Sequence, residues 1–241
     1  MMAEIKKFWW PLGLVLVVAV LAMAFLSRGS NDHAPEPEEA EGNKGITLPQ
    51  PQRESDTSIE AALRQRRSIR DYGKGPLALE EVGQLLWAAQ GITDERGYRT
   101  APSAGALYPL ELYVVVGEVE TLDPGVYHYD PQNHALEPVA EDDRRQALTK
   151  EALGQAYIGR GAIDIVFTGI YERTTGKYGH RGRRYVHMEA GHAAQNVYLQ
   201  CVSLELGTVV VGAFGDEGVQ DVLELPEERV PLYIMPVGRL P

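Results

Sequence analysis

Four arginines, Arg64, Arg66, Arg67 and Arg70, fall within seven positions in the stretch RQRRSIRDYG. On a helix, residues three or four apart share a face, so Arg66 and Arg67 would each stand beside Arg70, with the Ser68 hydroxyl among them. Guanidinium forks converging on one spot suit a phosphate, because each presents paired N–H donors and a fixed charge. A solvated helix face, a nucleic-acid contact and a membrane-surface contact are the competing readings. Against nucleic acid stands the charge balance: 34 Asp plus Glu against 23 Lys plus Arg, a net −11, with no basic stripe continuing the cluster. Against a membrane-surface role stands a long acidic segment between the cluster and the apolar N-terminal run.

Two further stretches allow a backbone to approach a flat ligand closely. One is the small-residue loop Pro102-Ser103-Ala104-Gly105, which runs into the apolar stretch LELYVVV. The other is Gly212-Ala213, at the end of TVVVGAF. Neither a G-x-G-x-x-G nor a G-x-x-x-x-G-K-[ST] fingerprint is present. His180, His187 and His192 are spaced seven and five apart, which does not put two imidazoles on one helical face as an i,i+4 pair would; no metal site is expected. The single cysteine, Cys201, excludes an intrachain disulfide and lies among Val, Leu and Tyr, as a packed thiol would.

The elements that must position these residues read as follows. Thr57–Glu60 (TSIE) is a capping-box pattern that opens a helix running into the arginines. PLALEEVGQLLWAAQG is a second helix, stopped by Gly91. ELYVVVG, AIDIVFTGIY, TVVVGAF and VPLYIMPVG read as strands, and GVYHYDPQNHALEPV as a hairpin turning at Asp130–Asn133. DDRRQALTKEAL and DEGVQDVLEL are short helices. RRYVHMEAGHAAQNVYLQCVSLELG is a long helix buried on most sides. The segment before it, ERTTGKYGH, is rich in glycine and reads as a loop. The fold class is α/β of the α+β kind: a mixed β-sheet flanked by helices.

The N-terminus is of another character. Phe8–Leu26 carries no charge and is long enough to span a bilayer, so residues 1–27 read as a transmembrane anchor. Lys6 and Lys7 precede the run, which favours an extracytoplasmic domain. Residues 28–57 are rich in Pro, Glu, Gly and Ser and read as a disordered acidic linker. That leaves 58–241 as the folded domain.

RRSIRDY, APSAGALYPLELYVVV, EAGHAAQNVYLQ, GTVVVGAF and PLYIMPVG, in that order, resemble the nitroreductase superfamily, and within it the SagB/ThcOx-type dehydrogenases that include the azoline oxidases. The resemblance implies a mixed sheet flanked by helices, a non-covalently bound FMN and a homodimer sharing the flavin site. It assigns Arg66, Arg67, Ser68 and Arg70 to the FMN phosphate and ribityl chain. Pro102, Ser103 and Ala104 become a loop against the flavin, and Gly212 and Ala213 a turn facing flavin N5. Gln155 becomes a polar flavin contact and Arg239 a second phosphate contact.

The same resemblance matches Lys177-Tyr178 to the catalytic pair of the azoline oxidases, implying proton abstraction from a substrate carbon. A lysine serves as a base only if burial or cationic neighbours lower its pKa, and Arg173, Arg181, Arg183 and Arg184 stand nearby in sequence. Ala106 and Tyr108 occupy positions where ordinary nitroreductases carry Asn and Gln. The expected function is an FMN-dependent dehydrogenase of a small molecule or peptide. An NAD(P)H-dependent nitro or quinone reductase is the alternative among enzymes, and a membrane-tethered flavin- or small-molecule-binding module the alternative outside them.

Overall fold

A computed structural model describes residues 45–241. Among the described residues the strands form one seven-stranded sheet. They are β1 (Ile46–Thr47), β2 (Leu110–Val116), β3 (Gly125–Asp130), β4 (Ala135–Glu141), β5 (Ile163–Gly169), β6 (Leu206–Thr208) and β7 (Val230–Arg239). Their order across the sheet is β1-β4-β3-β2-β5-β7-β6. Every named pair is antiparallel, so the sheet is not mixed as the sequence suggests. Residues 117–124 join β2 to β3 and residues 131–134 join β3 to β4, connections shorter than the crossover that parallel neighbours need. A parallel pairing survives only as the isolated bridge Leu77↔Val119.

Helices cover both faces. They are α1 (Ile59–Gln65), α2 (Leu79–Gln90), α3 (Arg145–Glu151), α4 (Tyr171–Tyr178), α5 (Arg181–Ser203) and α6 (Asp216–Leu223). Side chains alternate across a strand, and β2 shows what this does. Leu112, Val114 and Val116 point into one core with Leu85 and Leu86 of α2 and Val186, Ala193 and Val197 of α5. Tyr113 and Val115 point into a second core with Leu148 of α3 and Val219 and Leu223 of α6. β5 is buried along its whole length, as a central strand covered on both faces must be. Each fully buried Val or Leu contributes about 1.5–3 kcal/mol, which makes these two layers the rigid frame of any site at their rim.

Two further sequence expectations change, and a third lies outside what the structure describes. The linker does not extend to residue 57: Ile46 and Thr47 pair with β4, Leu48 is buried in the larger core, and Gln84 of α2 bonds the Gln52 backbone in both directions, at 2.8 and 3.0 Å. Leu48 and Ile46 against the core, the two-residue pairing and the Gln84 bonds anchor a stretch whose composition reads as disordered. The cap of α1 is Ser58, whose Oγ accepts from Ala61 N–H, and not Thr57. The proposed span Phe8–Leu26 lies outside the described residues, among which no helix is long and apolar enough to cross a membrane.

Candidate functional site

The arginines do not share a helix. α1 ends at Gln65, and Arg66 leaves it with φ −49° and ψ 126°. The Ile69 N–H then donates to Thr208 O at 2.9 Å, so the segment runs extended along β6. Its side chains are placed by two tyrosines from elsewhere in the chain. Arg66 lies over the Tyr198 ring, 5.0 Å from its centroid, and Ser68 Oγ is 3.1 Å from the Tyr198 hydroxyl. That hydroxyl also accepts from Val210 N–H at 2.8 Å. Arg70 lies over the Tyr157 ring at 5.7 Å.

The Tyr157 hydroxyl in turn donates to Gln155 Oε1. Gln155, half-buried, donates from Nε2 to Ala213 O at 2.9 Å and so is tied to the backbone beside Gly212. Gly212 and Ala213 are exposed, just beyond the bridge that pairs Val211 with Ile234. One group therefore gathers Arg66, Ser68, Arg70, Gln155 and Ala213. Tyr157, Tyr198 and Arg160 join it unannounced by the sequence; Arg160 donates to the Arg70 carbonyl at 3.1 Å. Tyr198 lies within the stretch EAGHAAQNVYLQ, but nothing in that stretch ties its ring to the arginine segment 130 residues earlier.

This donor set fits a phosphate. Among the described residues Arg66, Arg70 and Arg160 pair with no carboxylate. Arg67 is less free, because it folds back to donate to the Arg64 and Arg66 carbonyls at 3.0 and 2.7 Å. Arg239 does not join the group. It forms a two-pronged ion pair with Glu81 of α2, at 2.6 and 2.8 Å, and donates to Pro76 O at 2.9 Å, which spends its fork on the fold.

A second group forms around the loop Pro102–Tyr108. Gly105, Ala106 and Tyr108 take φ of 67°, 53° and 45°, and Ser103 Oγ accepts from Tyr108 N–H at 2.9 Å. A Cβ on Gly105 would stand 2.8 Å from the Tyr178 hydroxyl and 2.9 Å from Lys177 Nζ. Lys177 and Tyr178 thus rest against the loop that carries Pro102, Ser103 and Ala104. They lie in the last turn of α4, not in a glycine-rich loop. Gly182 permits this helix, since a Cβ there would meet the Thr174–Thr175 backbone at 2.7–2.8 Å.

The cations expected around Lys177 are partly engaged: Arg173 pairs with Glu111 at 2.6 Å, and Arg183 covers the Tyr171 ring at 3.9 Å. Glu189 of α5, 2 % exposed, stands at the loop with Oε1 unpartnered. Burial raises its carboxyl to about 7, against the pull of Ser103 and Arg99. His192 is exposed, and Cys201 is a buried thiol whose ionisation burial suppresses.

The two groups meet the long helix on opposite sides. Glu189 and Tyr198 are nine residues apart on α5, which at 3.6 residues per turn is two and a half turns and about 13.5 Å. They mark the two rims of its buried stripe. A single chain therefore turns its arginine group and its Lys177–Tyr178 group to different sides of the same helix.

A family model described as "Nitroreductase family" matches residues 63–239. A Methanocaldococcus jannaschii protein, named only provisionally as a nitroreductase, is 49 % identical over 181 residues, 75 % of this chain and 90 % of its own length. The microcin B17-processing protein McbC of Escherichia coli is 31 % identical over 68 % of this chain, and the match spans 63 % of McbC. Among solved structures, the E. coli microcin synthetase McbBCD complex with truncated pro-MccB17 bound contains a chain that superposes with a TM-score of 0.64 at 27 % identity, covering 91 % of this chain and 86 % of that one.

Proposed function

The chain belongs to the nitroreductase family, and on that premise we propose that it is an FMN-dependent oxidoreductase of the SagB/ThcOx-type dehydrogenase branch. The observation that carries the reading is the convergence of unpaired Arg66, Arg70 and Arg160 with Ser68, Gln155 and Ala213, braced by Tyr198 and Tyr157. The arginines would hold the phosphate, Ser68 the ribityl chain, and the exposed Gly212–Ala213 backbone the ring edge. FMN, when bound, supplies hydride exchange with a substrate. The chain supplies proton handling, for which Lys177 Nζ, next to Gly105, is the candidate group at the substrate carbon, with the Tyr178 hydroxyl as hydrogen-bond donor.

The opposed placement of the two groups supports a homodimer in which the loop of one copy completes the flavin site of the other. Ile59 and Leu63 on α1, and Met188 on α5, are large apolar residues left 56 %, 55 % and 52 % exposed, as a face covered by a second copy would be. A peptide substrate is the reading favoured by the likeness to McbC, a processing protein. The run Phe8–Leu26 would tether the domain to a membrane, which carbonate extraction of membranes tests.

The experiment is a flavin spectrum of the purified full chain followed by anaerobic titration with NADH and NADPH. A bound FMN that resists bleaching supports the dehydrogenase. Bleaching supports the second reading, an NAD(P)H-dependent reductase, which the likeness to the archaeal nitroreductase relative favours. Absence of flavin from the purified protein, and no uptake on adding FMN, refutes both.

A further inference from the structure

A line of charged side chains leads from the surface of the sheet to the Pro102–Tyr108 loop. It begins with Glu137 of β4, whose Oε2 is 3.1 Å from His128 Nδ1 of β3. His128 Nε2 is 2.7 Å from Glu111 Oε2 of β2. Glu111 Oε1 is 2.6 Å from an Arg173 guanidinium nitrogen of α4, and that nitrogen also donates to Tyr108 O at 3.0 Å. A ring flanked by carboxylates on both nitrogens satisfies both only as an imidazolium, because the neutral ring has a single N–H. Glu111 is 12 % exposed in its side chain, so its charge is balanced by His128 and Arg173 more than by water.

This line ends where the backbone is least comfortable. Tyr108 closes the segment in which Gly105, Ala106 and Tyr108 are all left-handed; such geometry in Ala and Tyr persists only where surrounding contacts over-determine it. The other contacts of Tyr108 are Ser103 Oγ on its N–H, the Arg99 N–H on its hydroxyl at 3.2 Å, and the Arg99 guanidinium over its ring at 4.7 Å. Among the described residues Arg173 alone donates to its carbonyl. Arg173 and Lys177 are four residues apart on α4 and so share a face. The side chain that grips the loop and the side chain that rests on Gly105 are one helical turn apart.

We propose that Glu111, His128 and Arg173 are positioning residues for Lys177 and Tyr178: they pin α4 to the carbonyl end of the left-handed segment and thereby fix where Lys177 stands against Gly105. This rests on the role proposed above for Lys177 and Tyr178. The groups facing His128 are Glu111 and Tyr113 from β2, the latter with ring centroids 5.1 Å away, and Glu137 from β4. Arg173 faces Glu111 from α4, and Arg229 lies over the far ring, Tyr113. Burial lowers the affinity of His128 for its proton, but its bonds to Glu111 and Glu137 outweigh this and leave it above the usual histidine range. The pin is whole while His128 holds its proton and loses one donor when His128 deprotonates.

The test follows Lys177 directly. The full chain, saturated with FMN, is labelled by 13C-methylation of its lysines, and the Lys177 signal is identified by its absence in Lys177→Arg. The native signal is expected to move through an inflection as His128 titrates. His128→Gln is expected to remove that inflection, and Glu111→Gln to shift the signal toward that of the exposed Lys150. A native Lys177 signal without the inflection, or one unmoved in both variants, overturns the proposal. If Glu111→Gln fails to fold, the comparison of native with His128→Gln decides alone. An FMN titration of the same samples tests the flavin reading separately: failure to bind flavin removes that reading, while the Lys177 signal still reports whether the pin sets its position.

Discussion

The Ser68 hydroxyl lies 3.1 Å from the Tyr198 hydroxyl, and through that one phenol the arginine segment is joined to Val210 and the strand leading to Gly212. Tyr198 sits on α5 and is nearly buried, so the joint belongs to the core and not to the surface. Tyr198→Phe removes only the oxygen. It leaves the Val210 N–H without a partner and is expected to cost about 1–3 kcal/mol in urea unfolding. FMN affinity is expected to fall about tenfold, the equivalent of roughly 1.4 kcal/mol. A stability loss with unchanged flavin affinity would detach Tyr198 from the cofactor site.

Arg239 gives the opposite pattern. Its ion pair with Glu81 ties β7 to the first turn of α2. Arg239→Ala is expected to destabilise the domain by about 1–3 kcal/mol, the range for charge-assisted bonds. FMN affinity is expected to stay within about threefold, well under the tenfold that roughly 1.4 kcal/mol represents. A hundredfold loss in a fluorescence titration would return Arg239 to the phosphate.

Glu189 makes stability depend on pH. Its folded carboxyl, raised to about 7 mainly by burial, lies above its ordinary value of 4.5. Between those values the native state holds a proton that the unfolded chain has released, so stability falls as pH rises from about 4.5 to 7. Glu189→Gln removes that dependence. The variant should match the native protein near pH 5 and melt at a higher temperature at pH 8. Parallel melting curves at both pH values would mean that Glu189 is ionised in the fold.

Gly105→Ala combines two costs. A left-handed alanine costs about 1–2 kcal/mol, and its Cβ would press on Lys177 and Tyr178. Removing the Lys177 side chain should relieve part of the second cost only. A double-mutant cycle of Gly105→Ala with Lys177→Ala, measured by urea unfolding, should therefore show coupling of at least about 0.5 kcal/mol. Additive effects would place Lys177 away from the loop.

Much of the frame can be read in the chain. Leu110–Val116 and Ile163–Gly169 are continuous apolar runs because both faces of their strands are covered, and α5 declares itself by buried Val186, Ala190, Ala193 and Val197 at helical spacing. The arginine segment misleads because its backbone donor at Ile69 goes to Thr208, 139 residues on, and not to a helical carbonyl. α4 hides behind Gly176, Gly179 and Gly182, of which Gly182 is there for helix–helix approach. The pin from Glu137 to Arg173 joins four elements, and no local pattern announces a contact made only by the register of a sheet.

The most direct test of the account is the affinity for FMN of a variant carrying both Arg66→Ala and Arg70→Ala. Two charge-assisted contacts at about 1.5–3 kcal/mol each predict a loss of at least roughly a hundredfold, with stability little changed because among the described residues neither arginine is paired to a carboxylate. Fluorescence titration of the apoprotein with FMN reads it. A double variant that binds FMN with native affinity would contradict the assignment of this cluster to the cofactor phosphate, and with it the account of the site.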